Sequence, residues 1–368
     1  MRMKRIPGVL AVLILILFCG IAPAAGESPA ELPNLKDAYE GRFDIGTAIS
    51  RQTLVDLKLR EIIIRHFSII TAGNEMKPDG LLDLTKSREL AKEDETAVAV
   101  KFTGAKTILD FAQKNGIKVH GHVLVWHEQT PEAFFHECYD SKKPLLTREV
   151  MLGRLENYIR EVLTWTEENF PGVIVSWDVV NEAINDNTNW IRKSNWYKTI
   201  GEDYVARAFE YARKYAADGV LLYYNDYNTA YPGKLNGIVK LLEQLIAEGN
   251  IDGYGFQMHL TVSSPSMDMI TKAVERIAGL GIRLRVSEMD IGIDSTSEAN
   301  LTRQKAKYKA VMKLMLRYSD RTEAVQVWGL TDDTSWRAGT HPLIFDKYKR
   351  PKPAFYGILE AAEEETLE

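Results

Sequence analysis

Short apolar runs alternate with longer amphipathic stretches along most of the chain. The runs begin near residues 43, 67, 117, 173, 220, 254, 283 and 324. Between them, apolar residues recur every three to four positions, the spacing of a helix with one buried face. The segment 147–169 shows this well, with Met151, Leu152, Leu155, Ile159, Val162 and Leu163 on one stripe. Further helices are expected over 54–66, 104–114, 302–318 and 354–363, and a loop with a short helix over the charged stretch 81–95. Gly116, Gly219, Gly249 and Gly281 each close a helical pattern and precede an apolar run, as glycines at helix C-termini do. Strand then helix, eight times over about 330 residues, predicts an α/β protein built as a single (β/α)8 TIM barrel. An open doubly wound sheet is the alternative. Against it, Gly46-Thr47-Ala48 after the first strand lacks the glycine spacing of a phosphate-binding turn.

The two ends of the chain break this pattern. Arg2, Lys4 and Arg5 precede an apolar run from Val9 to Cys19, and Ala22-Pro23-Ala24 follows as a small-x-small site. This is the pattern of a secretory signal peptide over residues 1–24, cleaved near Ala24. The run is short for a membrane span, so no stable span is expected after its removal. Secretion, or retention in the periplasm or at the cell surface, is the expected location. Residues 25–40 read as a polar leader, 41–363 as the catalytic barrel and 364–368 as an acidic tail. The net charge of −5 becomes −8 once the three basic leader residues are gone, which points away from nucleic acid as a partner. Only Cys138 then remains, so no intrachain disulfide is expected.

Candidate chemistry lies where each expected strand ends. Asn74 and Lys77 follow the second strand; His122, Trp126, His127 and Gln129 the third; Asn181 and Glu182 the fourth. Asn225 and Tyr227 end the fifth, Gln257 and His259 the sixth, Glu288 and Asp290 the seventh, and Trp328 and Trp336 follow the eighth. A barrel of this kind builds its site from strand ends at one face. Carboxylates and amides recognise hydroxyls, and indole faces stack on sugar rings. Two glutamates, Glu182 and Glu288, on different strands suit glycoside hydrolysis by a carboxylate pair. Trp177, beside them in Trp177-Asp178-Val179-Val180-Asn181-Glu182, is a candidate stacking ring. Asp178, Asp226 and Arg337 read better as structural ion-pair partners. His120, His122 and His127 have no matching carboxylate spacing for a metal, so neither metal nor cofactor is expected.

Five stretches together resemble glycoside hydrolase family 10, the endo-β-1,4-xylanases. They are Gly121-His122-Val123-Leu124-Val125-Trp126-His127-Glu128-Gln129, Trp177 to Glu182, Asn225-Asp226-Tyr227-Asn228, Gly255-Phe256-Gln257-Met258-His259, and Val286-Ser287-Glu288-Met289-Asp290. The resemblance runs from about Phe43 to Tyr356. It implies a retaining hydrolase of xylan and xylo-oligosaccharides, with Glu182 as general acid/base and Glu288 as nucleophile. It implies His259 on the nucleophile with Asp290 behind it, and Asn181 on the sugar 2-hydroxyl. Glycone-side contacts are implied for Asn74, Lys77, His122, Trp126, Gln129, Gln257, Trp328 and Trp336, and aglycone stacking for Tyr227. On physical grounds Asn181 and His259 are the expected donors to Glu288, and the charge on Glu288 is expected to raise the pKa of Glu182.

Two positions depart from the family. Gly73 stands where it commonly has a Glu that grips the distal glycone sugar, and Pro78 where it often has Trp. Two alternatives stay open: a barrel hydrolase acting on β-glucan or aryl cellobiosides, and a catalytically silent xylan-binding protein. Intact Glu182 and Glu288 weigh against the second.

Overall fold

The computed structural model describes residues 33–365. The expected signal peptide therefore lies outside the described residues. Nine parallel strands follow in chain order: β1 (Asp44–Ile49), β2 (Ile69–Ala72), β3 (Lys118–Trp126), β4 (Ile174–Asn181), β5 (Leu221–Asp226), β6 (Gly253–Phe256), β7 (His259–Thr261), β8 (Arg283–Gly292) and β9 (Thr322–Val327). The sheet order is β6-β5-β4-β3-β2-β1-β9-β8, and β6 also pairs with β8, which closes an eight-stranded barrel. Strand β7 has three residues and pairs only with the upper part of β8. Its side-chain pattern is too short to show in the sequence.

The helices surround the barrel and pack apolar stripes on it. Thr147 caps Arg148–Asn169, accepting from the Val150 N–H. Met151, Leu155, Ile159, Val162 and Leu163 are buried along it, whereas Leu152 is half-buried and Arg154 takes a fully buried place on the same face. Arg154 pairs with Glu95 at 2.7 Å and donates to the carbonyls of Phe134 and His136, so its burial is compensated. Gly116 and Gly249 end their helices in the left-handed region, with φ of +64° and +73°.

The ends of the barrel domain differ from expectation. Leu35–Ala38 is a helix, not a leader, because Leu35 and Tyr39 are buried and the Tyr39 hydroxyl donates to Ile358 O at 2.7 Å. The last helix runs Pro353–Glu365. The expected acidic tail thus starts inside it, where Glu364 pairs with Lys309 and Lys313, and Glu365 with Arg42. Among the described residues no helix is long and apolar enough to cross a membrane. Cys138 is a free thiol.

Candidate active site

Strand β4 delivers Glu182 through a reversal of the backbone. Glu182 has φ +57°, a left-handed conformation that a residue with a side chain adopts only when its surroundings hold it there. Its N–H donates to Asn225 O at 2.9 Å, and its carbonyl accepts from Arg192 Nε at 3.3 Å. The carboxylate then turns into the barrel mouth. Oε1 accepts from Gln257 Nε2 at 2.9 Å and Asn181 Nδ2 at 3.2 Å, and Oε2 accepts from Trp126 Nε1 at 3.0 Å. Burial raises the pKa of Glu182 above the ordinary carboxylic-acid value. The Gln257 and Trp126 hydrogen bonds pull it down, and the charges of Asp226 and Glu288 push it up.

Glu288 comes from the middle of β8. Its Oε1 accepts from Asn225 Nδ2 at 2.8 Å, and Oε2 lies 3.2 Å from His259 Nε2. Ser287 donates to Asn225 Oδ1 at 2.7 Å, which orients the amide so that its NH2 faces the carboxylate. Asn225 therefore touches both glutamates, one through its carbonyl and one through its side chain. His259 Nδ1 lies 2.9 Å from Asp290 Oδ2. Burial alone would lower the His259 pKa, but Asp290 and Glu288 outweigh it and push it up to about 9. At neutral pH the ring is an imidazolium held between two carboxylates. Asp290 also accepts from Trp336 Nε1 at 2.9 Å and pairs with Arg337.

Both glutamates line one open cleft of about 930 Å³. On one wall Lys77 donates to Gln129 Oε1 at 2.6 Å and Asn74 Oδ1 at 3.2 Å, and its ammonium lies 4.9 Å from the Trp126 ring centroid. On the facing wall Trp328 meets His122 edge to face at 5.4 Å, and Trp336 meets His259 at 4.9 Å. Trp336 is 66% exposed, so much of its ring surface is open to a ligand. Tyr227 lies across the cleft, its hydroxyl bonded to Asp186 and Arg192 and its ring 4.2 Å from Lys234 Nζ.

The family assignment comes from most of the chain. The Glycosyl hydrolase family 10 model matches residues 34–361. The chain belongs to this family. It is 38% identical over 339 residues to endo-1,4-beta-xylanase B of Butyrivibrio fibrisolvens, covering 89% of this chain and 53% of that protein. The chain spans between about a third and a half of the length of the first curated relatives it matches. Among solved structures, the CBM22-1–GH10 modules of xylanase 10B from Clostridium thermocellum, complexed with xylohexaose, superpose with a TM-score of 0.83. Identity is 31%, covering 89% of this chain and 67% of that one. The intracellular xylanase of Thermoanaerobacterium saccharolyticum gives 0.80 at 33% identity, covering 89% of this chain and 98% of that one.

Within this family 10 barrel the structure changes several expectations. All fourteen residues singled out for catalysis, support or substrate line the cleft, except Asp290, which sits behind His259. Asn181 does not reach Glu288; it bonds Glu182 and accepts from Gln257 Nε2 at 3.1 Å. Asn225 takes the expected role, because β5 lies beside β4 and only β6 separates it from β8. Gln257, expected on sugar, bonds the carboxylate of Glu182. Trp177 is 1% exposed and no stacking ring for sugar. It packs against β3, where a Cβ on Gly121 would stand 2.2 Å from its ring. Asp178 bonds His122 Nδ1 at 2.8 Å, and Asp226 pairs with buried Lys234 at 3.0 Å. His127 lies behind the cleft wall, where burial lowers its pKa to about 4. Arg192 and Lys234 carry no signal in the sequence, since one lies in the loop well past β4 and the other inside the helix Pro232–Glu248. Among the described residues no group of three or more His, Cys, Asp or Glu is placed to hold a metal ion.

Proposed function

We propose that this chain is an endo-β-1,4-xylanase that hydrolyses internal xylosidic bonds of xylan with retention, through Glu182 and Glu288. The observation that carries this reading is Asn225, which ties the backbone of one glutamate and the carboxylate of the other to a single residue. In the first step Glu288 attacks the anomeric carbon while Glu182 gives its proton to the departing oxygen. Asn225 and the His259 imidazolium hold the Glu288 carboxylate in place, aimed at the sugar. The raised pKa of Glu182 keeps its proton available. Once the glycosyl–enzyme bond forms, Glu288 loses its charge, the pKa of Glu182 falls, and Glu182 takes a proton from the incoming water. The exposed Trp336 and half-buried Trp328 form a wall suited to an unbranched pentose ring, and crowding there would disfavour the hydroxymethyl group of glucose.

We also propose export of the protein, on the strength of the basic start, the Val9–Cys19 run and the Ala22-Pro23-Ala24 site. N-terminal sequencing of protein recovered outside the cell should begin near Ala25; a start at Met1 would exclude cleavage. For the reaction, initial rates on xylan should far exceed those on carboxymethyl-cellulose, and NMR should show the β-anomer formed first. First appearance of the α-anomer would exclude retention. Glu288→Ala should lower turnover by at least about 10⁴-fold while xylo-oligosaccharide binding persists. Wild-type turnover in that variant would remove Glu288 from its role.

A further inference from the structure

The segment that follows Glu182 leaves the barrel and comes straight back. Ala183 O accepts from the Arg192 N–H at 2.7 Å, the Asn185 N–H donates to Trp190 O at 2.9 Å, and Ile184 pairs with Ile191 in an antiparallel bridge. Arg192, ten positions on, is thereby returned to the side of Glu182. The loop is seated on the helix Pro232–Glu248. A Cβ on Gly237 would stand 2.2 Å from Asn189 O, and one on Gly233 2.7 Å from Asn189 Nδ2, so these glycines let the loop lie close against the helix. Between them Lys234 donates to Ile184 O and pairs with Asp226 at 3.0 Å. The path of the loop is thus fixed by the helix beneath it as well as by its own hydrogen bonds.

Arg192 uses that place to hold two cleft residues from behind. Glu182 and Tyr227 line the cleft, and Arg192 does not. Its Nε donates to Glu182 O at 3.3 Å, and its Nη2 donates to the Tyr227 hydroxyl at 3.3 Å. Among the described residues no other group donates to the Glu182 carbonyl. The left-handed backbone of Glu182 must be held on both sides to persist. Asn225 O holds its N–H, and Arg192 holds its carbonyl. Glu288 is held separately, by Asn225 and His259. Loss of the guanidinium therefore frees one glutamate and leaves the other in place.

We propose that Arg192 is a positioning residue for proton donation: by gripping the carbonyl of Glu182 it keeps the turn that aims the carboxylic acid at the departing oxygen. The proposal rests on the xylanase reading and deepens it. As the glycosidic C–O bond breaks, its electron pair goes to the departing oxygen, which takes the proton of Glu182, while Glu288 forms the new bond to the anomeric carbon. A leaving group that is stable as an anion departs with the electron pair and needs no proton. The contribution of Arg192 therefore grows with the basicity of the leaving group.

The test compares kcat/KM on two aryl β-xylobiosides: the phenyl glycoside, whose oxygen needs the proton, and the dinitrophenyl glycoside, whose oxygen does not. Hydrolysis of the glycosyl–enzyme lies after the step that kcat/KM reports. Arg192→Met should lower the value for the phenyl glycoside about 30-fold and that for the dinitrophenyl glycoside by less than about threefold. Arg192→Lys keeps a cation that cannot reach carbonyl and hydroxyl together, and should show the same bias at about fivefold on the phenyl glycoside. It carries the test if Arg192→Met fails to fold. Equal losses on the two glycosides would leave Arg192 a purely structural part and overturn the proposal. So would an unchanged value on the phenyl glycoside in a folded variant. Either result, with wild-type turnover on both glycosides, leaves the xylanase reading standing. Absence of turnover by the wild-type protein on both overturns the xylanase reading and the role of Arg192 with it.

Discussion

Low in the barrel, Arg285 is fully buried, and its guanidinium donates to His120 Nδ1 at 2.8 Å, Ser176 Oγ at 3.0 Å, Glu323 Oε2 at 2.8 Å, and Gln326. Gln326 passes the network on to Thr71 Oγ1 at 3.0 Å. Gly46 leaves the room for it, since a Cβ there would stand 2.4 Å from Gln326 Cγ. At the mouth, Glu182 and Glu288 are also nearly buried and held by internal donors, yet both line an open cleft. The two regions use the same groups: a charge, amides, imidazoles and hydroxyls. In the lower network every hydrogen-bond partner of Arg285 is a protein atom and only its Nε has none, so its polarity serves to hold the strands in one arrangement. At the mouth one side of each carboxylate faces the cleft, so its polarity is available to a substrate. A buried polar group is a scaffold or a site according to whether its last neighbour is protein or solvent.

That contrast can be broken at its lower end with the largest effect. Arg285→Met removes the guanidinium from Glu323 and leaves Gln326 only Thr71, and should cost about 3–5 kcal/mol. Thermal unfolding should show Tm lower by on the order of 10 °C, while kcat measured well below the new Tm stays within about twofold of wild type. A large fall in kcat with Tm unchanged would mean the lower network is part of the site. Breaking the mouth should give the reverse. Asn225→Ala removes the donor to Glu288 and should lower kcat about 100-fold, with a smaller change in Tm. An activity loss under threefold would deny Asn225 its place between the glutamates. The smallest effect separates causes within the mouth. The Gln257 hydrogen bond favours the charged form of Glu182, so its loss in Gln257→Ala raises the pKa of Glu182. The high-pH limb of kcat/KM, where Glu182 loses its proton, should move upward by on the order of one pH unit. A downward shift would mean that Gln257 acts on the acid in some other way.

How much of this was visible in the sequence differs between fold and site. The eight barrel strands begin within two residues of the expected positions, and the glycines at 116, 219, 249 and 281 all adopt positive φ. Those signals are local, because strand length, helix spacing and the need for a residue without Cβ are each set within a few positions. The position of Glu182 just past β4 was legible for the same reason, whereas Glu288 stands in the middle of β8 and His259 opens β7, where the sequence placed both at strand ends. Their partners were not. Trp177 and Trp336 are both tryptophans near acidic residues, but one is in the core and the other on the cleft. Strand alternation places Trp177 outward against the helices, and a long loop carries Trp336 back over the mouth.

The sequence by itself determined the repeated strand–helix unit, the family, and the set of side chains that end the strands. These follow from periodicity and from short motifs read in order. Tertiary structure alone decided that Asn225, 63 positions before Glu288, is the residue joining the two glutamates. It also decided that burial, ahead of the facing charge, raises the pKa of Glu182. The physical reason is closure of the barrel. Hydrogen-bond donors and solvent are assigned by which strands become neighbours, and that is a property of the closed sheet that no single stretch of chain contains.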